Sequence, residues 1–217
     1  KMPLARYKNL ASEKKDSILR SAAREFSEHG FEQASLNRLL TDAGLSKGAF
    51  YYYFEDKADL FITVVRAKLP LEQWLHESQL LRSESPDAFW DALAALESRK
   101  YNYLGSYPKV VRLTDVLSNL NSSHCTNSAF ASYREERRVE HTRVFEHGRQ
   151  IDAIRSDLPP PLVLNLWLGT TRSLSEWILE DWQALSQIER DERSRIAIQT
   201  IRDVLERRDS CSATLTA

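Results

Sequence analysis

Two cysteines in 217 residues, Cys125 and Cys211, stand far apart with no CxxC spacing and no Cys/His cluster. That excludes a disulfide framework and leaves two incidental thiols in a cytosolic protein as the expected account, with a redox pair as the alternative. No apolar run approaches the ~18 residues needed to span a bilayer, and the N-terminus lacks the apolar core of a signal peptide. Lys1 ahead of Met2 is set aside as an expected cloning remnant. A cytoplasmic protein without a membrane partner is therefore expected. Alternating strand-type runs bounded by hairpin turns are also missing. So are a nucleophile elbow, a P-loop, a GxGxxG turn and an HExxH pair. The histidines His29, His76, His124, His141 and His147 are scattered, and His141 and His147 fall on different faces of one predicted helix. Neither a metal nor a cofactor is expected, and an enzyme has no residues to stand on.

What is present is an ordinary soluble balance, 42% apolar and 28% charged residues, in a chain long enough to bury a sizeable core. A net charge of −1 hides a local excess. Residues 1–24 carry Lys1, Arg6, Lys8, Lys14, Lys15, Arg20 and Arg24 against Glu13 and Asp16. Phosphate binding needs only such a local field, because screening at physiological salt acts over roughly 8 Å.

Helical spacing runs through nearly every segment, and an all-α fold is expected. Ser12 can cap a helix in which Ile18, Ala22 and Phe26 stack, with Gly30 ending it. Asp56 can cap a later helix that continues through Leu60, Phe61, Val64 and Val65 until Pro70 interrupts. Ser85-Pro86-Asp87 is a start signal for a helix carrying Phe89, Trp90 and Leu93, and Tyr107-Pro108 opens a short one. The polar stretch from Asn119 to Asn127 reads as a loop, followed by a helix from Phe130 to Gly148. Two further helices are expected at about 162–182 and 188–208, with a polar tail from Asp209.

Residues 35–57 are the most informative. Leu36, Leu39, Leu40 and Ala43 form one face of a helix. Gly44 can take the positive φ needed to leave it, and Ser46 is a good N-cap for the next segment. Phe50 and Phe54, one turn apart, anchor that segment inward. Lys47, Gly48, Ala49, Tyr51, Tyr52 and Tyr53 are left to face outward or to flank the anchor. Tyrosines beside a lysine suit a surface that is flat and anionic, and DNA is both.

Residues 14–69 resemble the DNA-binding domain of the TetR family of bacterial transcription regulators. The likeness rests on Ile18 through Phe26, Gly30-Phe31, Ser35, the run Ala43 to Tyr51, Tyr53-Phe54, Lys57 and Leu60. Ser35 stands where the family usually has Thr, and Leu40 where a small Ala is usual. The resemblance implies an N-terminal three-helix helix-turn-helix head (residues 1–56 with a basic arm), a connecting helix (57–69) and a ligand-binding and dimerisation domain (70–217). It implies a homodimeric regulator, most simply a repressor, released from double-stranded operator DNA by a small-molecule effector. On this reading Lys47 contacts a base, Gly48 and Ala49 permit close approach, and Tyr51, Tyr52 and Tyr53 meet phosphate or a thymine methyl. Ser35 and Arg38 would fix position on phosphate, Asn37 would reach a base edge, and Lys57 would pair with phosphate.

For the larger domain the residues say less. Trp90, Tyr101, Tyr107, Phe130 and Trp167 are the aromatics expected to line an effector pocket, which the family resemblance implies and aromatic clefts suit. Gly169, Thr170 and Ser173 could let another helix approach, and with Ile196 and Ile201 they form the expected dimer surface. Arg172 and Glu176 are read as an internal pair, with polar groups of the pocket as the alternative. The competing reading is a helical small-molecule-binding or scaffolding protein whose head does not bind DNA.

Overall fold

In the computed structural model, residues 5–123, 127–182 and 184–206 are described, and among them every regular element is helical. Cys125, Cys211, His124 and the tail from Asp209 lie outside those residues. The chain packs as two compact units, residues 1–71 with 106–137 and residues 72–105 with 138–217. This packing division differs from the division expected at 56 and 69, because residues 106–137 share the core of the head.

The first unit contains α1 (Ala5–Lys8), α2 (Ser12–Gln33), α3 (Leu36–Asp42), α4 (Lys47–Tyr53) and α5 (Lys57–Lys68). The N-cap of α2 is Ala11 and no side chain caps it, so Ser12 is the first helical residue and not the cap the sequence suggests. The helix breaks at Gly30, where φ is 69°. Ser35, Ser46 and Asp56 cap α3, α4 and α5 as expected, accepting from the amides of Arg38, Ala49 and Asp59. Gly44 has φ +59°, and this left-handed residue turns the chain from α3 toward α4, a conformation that strains any residue with a Cβ.

The core of this unit is aromatic. Phe26 meets Phe61 edge-on at 5.0 Å, and Phe50 stacks with Phe54 at 5.5 Å. Phe31 and Phe61 both contact Phe130, which comes from residues 106–137. Two later helices complete the unit. One is α8 (Pro108–Ser123), and the other is the first part of α9 (Ser128–Gln150). α8 reaches Ser123, so the first part of the expected loop from Asn119 is helical. Pro70 does interrupt the chain, since α5 ends at Lys68 and α6 (Leu71–Glu77) begins beyond it.

The second unit holds most of α6, a 3-10 turn at Leu80–Arg82, α7 (Pro86–Ser106), the rest of α9, α10 (Pro160–Leu179) and α11 (Gln187–Leu205). Its core gathers Phe89, Trp90, Leu93, Phe145, Ile154, Val163, Trp167, Ile201 and Leu205. Ser186 and Glu189 form a reciprocal capping box at the start of α11. Near the end of α9, the amides of Ala153 and Ile154 donate to the Gly148 carbonyl as the chain folds back. A Cβ on Gly148 would lie 2.7 Å from Ile154 Cδ1 and 2.9 Å from Phe89 Cζ.

Gly148→Ala should therefore destabilise the protein by about 1–3 kcal/mol through overpacking, read as a lower urea midpoint at unchanged slope. Gly48→Ala, whose Cβ would meet nothing within 4 Å, should leave the midpoint unchanged or raise it. Equal behaviour of the two variants would contradict this packing.

Candidate nucleic-acid interface

The helix-turn-helix is α3, the turn at Ala43 to Ser46, and α4. Phe50 and Phe54 are fully buried, while Tyr51 and Tyr52 are 52% and 51% exposed. Lys47 and Gly48 are also exposed and fall one turn before Tyr51 and Tyr52, so these four share the outer face of α4. Ala49 and Tyr53 are half-buried and pack against the core. The guanidinium of Arg6, from the basic arm, sits 4.6 Å from the centre of the Tyr52 ring, a cation–π contact that extends the same positive, aromatic surface.

On α3, Asn37 and Arg38 are exposed and Ser35 is half-buried. Two of the residues expected to touch phosphate are already engaged within the head. Lys57 Nζ donates to the carbonyls of Glu32 and Ala34 at 3.2 and 3.3 Å and lies over the Phe31 ring, which closes the C-terminal end of α2. Arg38 grips Glu25, a carboxylate only 5% exposed. Lys14 donates to the carbonyls of Ala43 and Gly44 at 3.0 and 2.8 Å, closing the C-terminal end of α3 in the same way. Arg24 pairs with Asp42, the last residue of α3.

Glu25 was not singled out in the sequence. The signal was there, because it stands seven residues after Ile18 and three after Ala22, on the buried stripe of α2. The Arg38 hydrogen bonds, opposed by burial and helped by the Ser35 amide, hold the Glu25 carboxyl below the usual carboxylate range. A lowered pKa stabilises the head above the ordinary carboxylate value, and that contribution is lost as pH falls through the folded value. At the junction of α4 and α5, the buried Asp59 accepts the Glu55 amide at 3.0 Å. Burial pushes its carboxyl up.

The aromatics expected to line a pocket are not gathered in one place. Trp90 and Trp167 pack in the core of the second unit, and Tyr101 is buried there with its ring 6.1 Å from that of Trp182. Phe130 fills the core of the first unit, and Tyr107 is 52% exposed. Of the residues expected at a dimer surface, Gly169, Ser173 and Ile196 are exposed and Thr170 is half-buried. Ile201 packs into its own unit's core at 3% exposure. Arg172 and Glu176 are paired at 3.1 Å on an exposed face. Among the described residues no cluster of three metal-ligating side chains occurs and no helix is long and apolar enough to cross a membrane.

Lys57→Ala should lower head stability by about 1–3 kcal/mol, the range for hydrogen bonds made by a charged donor, measured as a shift in the urea midpoint. An unchanged midpoint would show that these carbonyl contacts contribute nothing.

Residues 18–64 match the model of the bacterial regulatory proteins of the tetR family. The repressor BepR of Brucella suis is 38% identical over 71 residues, which is 32% of this chain and 34% of that protein. The chain thus spans about a third of the length of this curated relative. SmeT, the repressor of the Stenotrophomonas maltophilia multidrug efflux pump SmeDEF, superposes with a TM-score of 0.66 at 15% identity, covering 89% of this chain and 90% of SmeT. SmeT has also been solved with triclosan. FadR of Bacillus subtilis, solved with stearoyl-CoA, superposes with a TM-score of 0.62 at 16% identity, covering 86% of this chain and 97% of its own. Residues 18–64 thus carry a domain of the tetR family of bacterial regulatory proteins, and the chain as a whole shares its fold with SmeT and FadR.

Proposed function

We propose that this protein is a homodimeric transcriptional regulator, most simply a repressor, that binds double-stranded operator DNA through α3 and α4 and is released by a small molecule. The observation that carries the reading is the outer face of α4. Lys47, Gly48, Tyr51 and Tyr52 stand in water together, on a helix fixed by the buried Phe50 and Phe54. An exposed pair of tyrosines with a lysine and a glycine suits a major groove, where hydroxyls meet phosphate and a small residue lets the backbone come close.

Within this reading Lys47 and Asn37 address base edges, Gly48 and Ala49 permit approach, and Tyr51, Tyr52 and Tyr53 with Ser35 and Arg38 address phosphate. Lys57 acts by holding the head together. Residues 1–56 form the DNA-binding segment, 57–69 the link, and 70–217 the sensing and pairing region. Pairing through α10 and α11 is supported by the exposed Leu162, Leu166, Trp177, Ile188 and Ile196, a hydrophobic surface of the kind buried in dimers. An apolar or amphipathic effector is supported by the triclosan and stearoyl-CoA bound in SmeT and FadR. The protein works in the cytoplasm and carries no enzymatic activity.

The test uses a duplex selected by the wild-type protein from a random-sequence pool. Lys47→Ala should weaken binding to that duplex and lower the slope of log K against log salt by about one unit. Tyr51→Ala should weaken binding with the slope unchanged, because it removes no charge. Both should keep the far-ultraviolet helical signal. Wild-type binding by both variants would overturn the assignment of α4. Failure of the wild type to enrich any sequence would favour the helical binding protein with a silent head.

A further inference from the structure

The contact between α2 and α3 goes further than holding two helices together. Glu25 Oε1 accepts the Ser35 amide at 2.7 Å, and the same atom accepts Arg38 Nη2. Glu25 Oε2 accepts Arg38 Nε at 2.8 Å, so the guanidinium is held by a two-pronged fork. Ser35 closes the ring, its hydroxyl accepting the Arg38 amide at 3.3 Å. One carboxylate therefore fixes both the residue that starts α3 and the cation one turn inside it. His29 stands at the edge of this group, its Nε2 3.9 Å from Glu25 Oε2.

The two partners are unlike in burial. The Glu25 side chain is 6% exposed and that of Arg38 is 51% exposed. The fork takes the Nε and Nη2 edge of the guanidinium, and Nη1 has no partner among the described residues. What sets this pair apart from the other arginine pairs of the chain is the burial of its carboxylate: Arg24, Arg99 and Arg172 are about as exposed as Arg38 or more so, and their acidic partners are 38–58% exposed. An arginine gripped along one edge presents its other edge at a fixed angle. It also gives up little rotamer freedom when an anion arrives, since the buried carboxylate has already immobilised it.

We propose that Glu25 is a positioning residue for DNA binding, turning the free Nη1 edge of Arg38 toward a backbone phosphate while pinning the start of α3. This inference rests on the DNA-binding reading above and adds the residue that makes Arg38 a preset phosphate donor. Glu25 itself touches no DNA. Its effect passes through Arg38 and the Ser35 cap. A lysine in place of Arg38 keeps the charge and cannot make the fork.

The test measures affinity by fluorescence anisotropy on the selected duplex at several salt concentrations, below the melting temperature of every variant as read by circular dichroism. Glu25→Gln should weaken binding about tenfold, a size ordinary for coupled groups. Arg38→Ala should weaken it and lower the salt slope by about one unit. Arg38→Lys should weaken it as much as Glu25→Gln while the slope stays at the wild-type value. In the doubly substituted Glu25→Gln, Arg38→Ala protein, affinity should match that of Arg38→Ala within about twofold, the non-additivity of residues acting as one. Arg38→Lys guards against loss of folding, since it keeps a cation beside Glu25. A Glu25→Gln protein that melts lower and binds like wild type would leave Glu25 a purely structural residue and overturn the proposal. So would Arg38→Lys binding at wild-type affinity, or losses that simply add in the double variant. If the wild type selects no duplex, the DNA-binding reading fails first and this inference with it.

Discussion

A helix of seven residues has too few hydrogen bonds to persist alone in water, and α4 has only the seven from Lys47 to Tyr53. Its existence depends on burying Phe50 and Phe54, both fully removed from solvent. Each large side chain buried in this way contributes on the order of 1.5–3 kcal/mol, so these two supply what the backbone of α4 cannot. Everything else in the head serves that anchorage. Phe54 meets Tyr7 of α1 at 5.0 Å, and Phe26, Phe31, Phe61 and Phe130 continue the aromatic contacts beside it. The consequence is a short helix whose inner face is fixed and whose outer face, Lys47, Gly48, Tyr51 and Tyr52, stands in water.

The charged groups follow the same division. Cations that meet carbonyls or buried carboxylates hold the frame. Lys14 and Lys57 close the ends of α3 and α2, and Arg38 is set by Glu25. Cations that meet none of these, Lys47 above all, stand exposed to solvent. Arg6 belongs with the second group, its guanidinium resting on Tyr52. A chain of net charge −1 can thus present a positive surface without being basic as a whole, since the field of an exposed charge reaches only about a Debye length.

The sequence was most legible where local chemistry decides structure. The caps Ser35, Ser46 and Asp56, the left-handed Gly44, the inward Phe50 and Phe54 and the break at Pro70 each act through their immediate neighbours, and each is found as expected. Misreadings came where distant segments decide. Phe130 belongs to the core of the head because α9 begins there, which no spacing along α9 announces. Ile201 points into its own unit although it shares a helix with the exposed Ile196. Lys57 is bound to carbonyls more than twenty positions earlier. Residues 119–123 are helical although Asn and Ser are frequent in loops, because residue propensity is a weak prior.

The central claim is that the outer face of α4 lies in a major groove, twice per dimer. The direct measurement is dimethyl sulfate protection of guanine N7, a major-groove atom, on the duplex selected by the wild-type protein. The account predicts two protected clusters related by two-fold symmetry and separated by a whole number of helical turns, about 10–10.5 base pairs each. Protection in a single cluster, or a tightly bound duplex whose guanines in both half-sites react as in free DNA, would contradict it.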